Sequence, residues 1–262
     1  MPMVTSGELF SRLRRRVSSL LFPPHCAACG IQLDFDRAGP EKPLHFCPLC
    51  VQRLAADLAD CCRVCGAHCP RSGIGTNDTC KPCRYCRGMR FPVEACAAVG
   101  NYGDQLQRLV VQMKGQRNEV LALQIGQLLG RRLRASTWIA EVEALIPVPV
   151  HWSKQLQKGF HGAAVIAEGI RRELEIPWLP RAVNSTRRTA KQGMLETAER
   201  YRNVAGSFAP GTMPELEGKC LLIVDDVLTS GATITAVAQA LRNAGARKLY
   251  AAVVARGIRS AV

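Results

Sequence analysis

The densest chemistry in this chain of 262 residues lies in one run, Val224-Asp225-Asp226-Val227-Leu228-Thr229-Ser230-Gly231-Ala232-Thr233. Two adjacent carboxylates can accept hydrogen bonds from polyol hydroxyls or hold a hydrated magnesium ion. Thr229, Ser230 and Thr233 bring hydroxyl donors, Ala232 is small, and Gly231 lets the backbone approach a ligand closely or take a positive φ. If such a loop opens a helix, several N–H groups point at one anion and the helix dipole adds positive potential. A phosphate in the loop with hydroxyls on the carboxylates describes a sugar phosphate. No Gly-Lys-Ser/Thr follows, so this is not a Walker loop, and there is no Gly-x-Gly-x-x-Gly dinucleotide fingerprint.

The elements needed to hold that loop are legible on both sides of it. Cys220 to Val227 reads as a buried strand, and Ile234, Val237, Ala238 and Leu241 fall on one face of a following helix. Upstream, the pattern predicts a strand over Ala95 to Tyr102 and an amphipathic helix carrying Leu106, Leu109, Val110 and Met113. A second helix carries Leu121, Ile125, Leu128, Leu129 and Leu133, and Ala144 to Val150 reads as a buried strand running into a Pro-stiffened loop. Ala163, Ile166, Ala167, Ile170 and Leu174 line another helix, Trp178 to Val183 reads as a strand, and Leu249 to Val254 as the last one. Gly245 stands where a helix C-cap belongs. Alternation of strands and helices after Arg90 predicts an α/β fold with a parallel sheet flanked by helices.

Before Arg90 the composition is different. Eleven of the 13 cysteines fall there, with much Pro and Gly and little periodicity, so that segment needs staples to fold. The pairs Cys26/Cys29, Cys47/Cys50 and Cys62/Cys65 have Cys-x-x-Cys spacing, as do both Cys80/Cys83 and Cys83/Cys86. A tight turn brings two thiolates to one tetrahedral ion, and two such pairs complete a structural zinc site without an open position for catalysis. Two sites are expected. An iron–sulfur cluster is the competing occupant, because the same thiolates bind it.

The bulk properties set outer bounds. The 35 Lys and Arg against 21 Asp and Glu leave a net charge of +14, which favours polyanionic partners, phosphorylated substrates or nucleic acid. Arg12, Arg14, Arg15 and Arg16 precede Val17 to Phe22, an apolar piece shorter than the roughly 7–15 residues of a secretory h-region. A basic amphipathic helix over 1–22, no membrane span and a cytoplasmic location are expected. The domains predicted are that helix, a double zinc ribbon over 23–90 and the α/β domain over 91–262.

Further cations could join the loop: Lys114 with Gly115, Lys158 in Lys158-Gly159-Phe160-His161-Gly162, and Arg188 before Thr189. The loop resembles the ribose-5-phosphate loop of type I phosphoribosyltransferases. The whole chain resembles the ComF family of competence-associated, phosphoribosyltransferase-like proteins, with the GntX-like group as a near relative. The resemblance is carried by the cysteine pairs, Lys114-Gly115, Val148-Pro149, Lys158 to Gly162, Thr189 with Gln192 and Leu195, Arg200 with Asn203, and Asp225 to Thr233. Spacing from Cys86 to Tyr102 is similar to that of the family and selects Cys83/Cys86 as the fourth pair. Two departures stand out: Lys158 replaces Arg, keeping charge but losing the fork geometry, and His161-Gly162 replaces Asn-Gln.

The resemblance implies binding of phosphoribosyl pyrophosphate with magnesium and transfer of the ribosyl-5-phosphate group to an acceptor. Asp225, Asp226 and Lys158 would then be catalytic. Thr229, Ser230, Gly231, Ala232, Thr233, Lys114 and Arg188 would bind substrate. The metal ligands would be Cys26, Cys29, Cys47, Cys50, Cys62, Cys65, Cys83 and Cys86. It also implies a link to DNA uptake and the competence machinery. A non-enzymatic protein handling single-stranded DNA through its ribbons and basic surface is the second expectation. The sequence is compatible with an oligomer.

Overall fold

In the computed structural model the described residues are 24–33, 44–55, 60–69, 83–89, 91–115, 118–151, 161–187, 197–212 and 216–258. The expected basic helix over 1–22 lies outside them. The chain divides into two compact units, Met1–Gln52 and Arg53–Val262.

In the first unit a turn at Cys26–Cys29 is closed by Gly30 N–H donating to Cys26 O (2.8 Å), and His25 pairs with Gln32. Helix α1, Pro48–Leu54, starts directly after Cys47. Its first turn therefore carries Cys50 back towards Cys47.

The second unit is built on four parallel strands: β1 (Ala95–Asn101), β2 (Ala144–Pro147), β5 (Cys220–Leu228) and β6 (Lys248–Arg256), in the order β1-β6-β5-β2. Strands β5 and β6 lie inside the sheet and read as near-continuous apolar runs, as strands covered on both faces must. β2 gives way to the expected Pro-stiffened loop after Pro147. Pro147 and Pro149 have no N–H to give to a ladder, so only Val148 N–H adds a further bond, to Val224 O at 2.9 Å. The strand expected over Trp178 to Val183 is reduced to a parallel bridge between Trp178 and Leu145, with Pro177 and Pro180 removing donors on each side. Beyond it β3 (Val183–Ser185) pairs antiparallel with β4 (Phe208–Pro210), and α5 (Thr197–Val204) lies between them in sequence.

The helices follow the apolar periodicities: α2 (Asp104–Gly115), α3 (Glu119–Leu133), α4 (Gly162–Leu174) and α6 (Ala232–Asn243). Asn118 caps α3, its side chain accepting from Leu121 N–H at 2.9 Å. Helix α6 ends at Asn243, and Gly245 follows with φ +88°. Helices α3 and α4 meet through glycines. A Cβ on Gly126 would lie 2.3 Å from Ile166 O, and one on Gly169 would lie 2.4 Å from Leu123 O. Buried Glu173 closes the same interface by accepting from Gln127 (3.3 Å), Arg131 (3.2 Å) and Arg134 (3.1 Å). These contacts fix the layer next to the sheet.

Candidate functional site

Asp225 and Asp226 fall in the last four residues of β5, at the carboxyl end of the parallel sheet, where open α/β sheets bind ligands. Neither is sealed in the core; the Asp226 side chain keeps 26% of its exposure. Lys114, in the last turn of α2, places Nζ 2.8 Å from Asp226 Oδ2. Asp225 Oδ1 accepts the N–H of Asp226 at 2.8 Å. Burial, then the neighbouring Asp226 charge, pushes the Asp225 carboxyl up to about 7, against the pull of the Asp226 N–H and Lys114. Burial draws Lys114 down, but the carboxylates of Asp226 and Asp225 outweigh it and its ammonium is held above the ordinary value.

The loop after β5 turns through Gly231, at φ +84° and ψ −1°, into α6. A side chain there would be strained, and its Cβ would stand 2.4 Å from the Phe91 ring. Ser230 is buried and its Oγ accepts the Ala232 N–H at 3.4 Å, so this hydroxyl is engaged within the loop. Among the described residues nothing accepts the N–H groups of Ser230 and Gly231. Thr229 and Thr233 are partly exposed. Tyr201 on α5 donates its hydroxyl to Ser230 O at 2.9 Å and steadies the turn from the β3–β4 side. Lys158 and Arg188 lie outside the described residues, as do Thr189, Gln192 and Leu195. His161, just before α4, is held by Nε2 against Val148 O at 2.8 Å, and burial keeps it below the ordinary histidine value.

The structure thus brings Lys114, Asp225, Asp226 and the Thr229–Thr233 loop to one end of the sheet. The second oxygens of Asp225 and Asp226 have no partner among the described residues. That donor set fits a hydrated magnesium ion, which takes one or two carboxylates and keeps its waters. The same oxygens can accept from hydroxyls, while the turn offers N–H groups and a helix N-terminus to an anion.

Among the described residues eight cysteines form two separate groups, Cys26/Cys29/Cys47/Cys50 and Cys62/Cys65/Cys83/Cys86, each with its ligand atoms within 4.8 Å of one another. The second group joins Cys83 with Cys86. Sulfur separations are 3.8 Å for Cys29–Cys47, 3.8 Å for Cys62–Cys86, and 3.7 Å for both Cys65–Cys83 and Cys83–Cys86. A tetrahedron of thiolates at about 2.3 Å from one ion has edges of about 3.8 Å. These groups therefore fit a single ion. A multi-iron cluster, which distributes its thiolates over separate irons, needs wider spacing. Backbone N–H groups already serve the sulfurs: Cys47 N–H donates to Cys26 Sγ at 3.3 Å and Cys50 N–H to Cys47 Sγ at 3.4 Å. Burial raises the Cys26 thiol, but the N–H donors of Cys47, Ala28 and Cys29 overcome it and bring it down to about 7.

The second group is part of the sheet unit. Cys96 N–H on β1 donates to Arg63 O at 2.8 Å, and Asn101 pairs with the backbone of His68 through two bonds of 2.9 and 3.0 Å. Gly66, at φ +71°, lets the turn lie against the backbone of Ala97 and Ala98. Sequence reasoning missed these anchors, and it missed Tyr201 and Arg256. Arg256 had a readable signal: a lone arginine directly after the apolar run Leu249 to Ala255.

Comparison with known proteins adds a lineage to this geometry. Residues 161–262 match the phosphoribosyl transferase domain. Over 211 residues the chain is 30% identical to the DNA utilization protein YhgH of Shigella flexneri, covering 77% of this chain and 92% of that one. It is 24% identical over 193 residues to Competence protein F of Haemophilus influenzae, covering 72% of this chain and 84% of that one. Among solved structures, the glutamine phosphoribosylpyrophosphate amidotransferase from B. subtilis aligns at TM-score 0.35 and 20% identity, over 50% of this chain and 25% of that one; a likeness at that score carries no argument. Among the described residues no helix is long and apolar enough to cross a membrane.

Proposed function

The chain belongs to the ComF family, and we propose that it binds phosphoribosyl pyrophosphate and transfers the ribosyl-5-phosphate group to an acceptor, in the service of DNA uptake. The observation that carries this reading is the Asp225–Asp226 pair, with Lys114 on Asp226, standing directly before a glycine-turned helix start. The 5′-phosphate sits at the turn, on the N–H groups of Ser230 and Gly231 and the hydroxyls of Thr229 and Thr233. The ribose hydroxyls donate to the free oxygens of Asp225 and Asp226. Lys114 lies beside them to offset the diphosphate, with Lys158 and Arg188 proposed as its further cations. Magnesium, when bound with the diphosphate, neutralises the leaving group's charge. Positive charge grows at the anomeric carbon as diphosphate departs, so the work of this chain is positioning and electrostatic stabilisation. The two four-cysteine groups take zinc in structural sites.

Isothermal titration of the full chain with phosphoribosyl pyrophosphate and magnesium tests the reading. Wild-type protein gives saturable heat, and the Asp225→Asn/Asp226→Asn variant loses it. Absence of heat from the wild type ends it.

A second reading, handling of single-stranded DNA, is favoured by the net charge of +14 and the names of the relatives. It predicts a gel shift of a single-stranded oligonucleotide that weakens steeply with salt. No shift at low salt excludes it.

A further inference from the structure

Arg256 ends β6 and is 1% exposed, yet among the described residues no carboxylate pairs with it. The groups its guanidinium bonds among the described residues are all neutral. Nη1 donates to Leu228 O at 2.9 Å, to Thr229 O at 2.7 Å and to Gly257 O; Nη2 donates to Tyr85 O at 3.3 Å and to Met89 Sδ at 3.7 Å. Its Nε has no partner among them. A cation taken out of water without a counter-charge is costly, and a fold retains one only where something nearby balances it. The two ends of the fork point to what that is. One end holds the entrance of the Thr229–Thr233 loop. The other holds the carbonyl of Tyr85, which stands between the ligand cysteines Cys83 and Cys86. Four thiolates on a divalent ion leave such a centre net negative.

We propose that Arg256 is a positioning residue that couples the second four-cysteine centre to the loop. The loaded centre is its counter-charge, and its fork in turn fixes the carbonyls of Leu228 and Thr229. Phe91 makes a parallel apolar link. It packs on the Cys65/Cys86 cluster and also presses its ring against the backbone of Gly231. The metal centre is then a support for the loop as well as a staple for the ribbon. Only the identity of what the loop holds rests on the phosphoribosyl reading.

Hydrogen–deuterium exchange of peptides covering 227–235, in the full-length chain, tests the coupling without any substrate. Stripping zinc from the wild type with a chelator should speed exchange there at least tenfold while 220–224 stays protected. In Arg256→Lys, which keeps the charge and loses the fork, 227–235 should exchange fast whether zinc is present or not. The Cys26→Ser/Cys29→Ser variant, lacking only the first centre, should behave as the loaded wild type. Three results overturn the proposal: 227–235 unchanged within twofold on stripping the wild type, acceleration spreading equally to 220–224, or a full metal response in Arg256→Lys. Should Arg256→Lys not fold, the loaded and stripped wild type decide alone. A metal-dependent loop that gives no heat with phosphoribosyl pyrophosphate sinks the substrate reading and leaves this one standing.

Discussion

Asp225 carries the titration that matters at the residue scale, because burial and the adjacent Asp226 hold its proton up to about pH 7. Unfolded, the same carboxyl lets go near 3.8. With respect to this group the fold is therefore most stable below that value and loses the advantage as pH rises through 7. Ligand binding has the opposite sense, since hydroxyls and magnesium need the carboxylate. Affinity for magnesium and phosphoribosyl pyrophosphate is expected to strengthen more steeply from pH 6 to pH 8 in the wild type than in Asp225→Asn, which keeps only the dependence of the ligand's own phosphates. A fall across that range contradicts the assignment. Gly231 is the other demanding position. Alanine there must hold a left-handed backbone and displace the Phe91 ring, so Gly231→Ala should cost about 1–3 kcal/mol by chemical denaturation. An unchanged midpoint refutes this.

At the scale of elements, the closest approach is between α3 and α4, where Gly126 and Gly169 allow backbone to meet backbone. Gly169→Ala puts a methyl where Leu123 O and Gln127 N already stand, and overpacking of this kind costs about 1–3 kcal/mol. Thermal melting of the variant should fall by several degrees, and a melting temperature equal to that of the wild type would count against this packing. The helices and the parallel strands could be read from apolar periodicity, because burial on one face or both leaves a regular mark. The β3–β4 pair could not. Each strand is three residues long and pairs across α5, too short to register a period. The prolines of the run Ala144 to Val150 did mark where its strand gives way to a loop, and the ladder ends at Val148.

For the molecule as a whole, the two four-cysteine groups belong to different compact units. Metal analysis of the purified chain should give two zinc per chain, and Cys26→Ser/Cys29→Ser or Cys62→Ser/Cys65→Ser one each. Of the two variants, only Cys62→Ser/Cys65→Ser removes the group to which β1 is anchored through Cys96 and Asn101. It should lower the melting temperature of the sheet unit, whose strands stay folded and protected well below that temperature. Melting like that of the wild type would show that the anchors carry no stability.

The amino-acid sequence by itself determined the parallel α/β class, the paired carboxylates before a hydroxyl- and glycine-bearing turn at Asp225–Thr233, and the thiolate pairs. These depend on neighbours in the chain: a period, a turn, a Cys-x-x-Cys knuckle. Tertiary structure alone decided that Lys114 lies on Asp226, that Ser230 turns inward, and that Arg256 joins the loop to Tyr85. Those contacts link residues 112, 2 and 171 positions apart. The first and last are set by sheet order and register, which no local pattern encodes. Ser230 is buried in the loop, where its Oγ accepts the Ala232 N–H while Tyr201 holds its carbonyl.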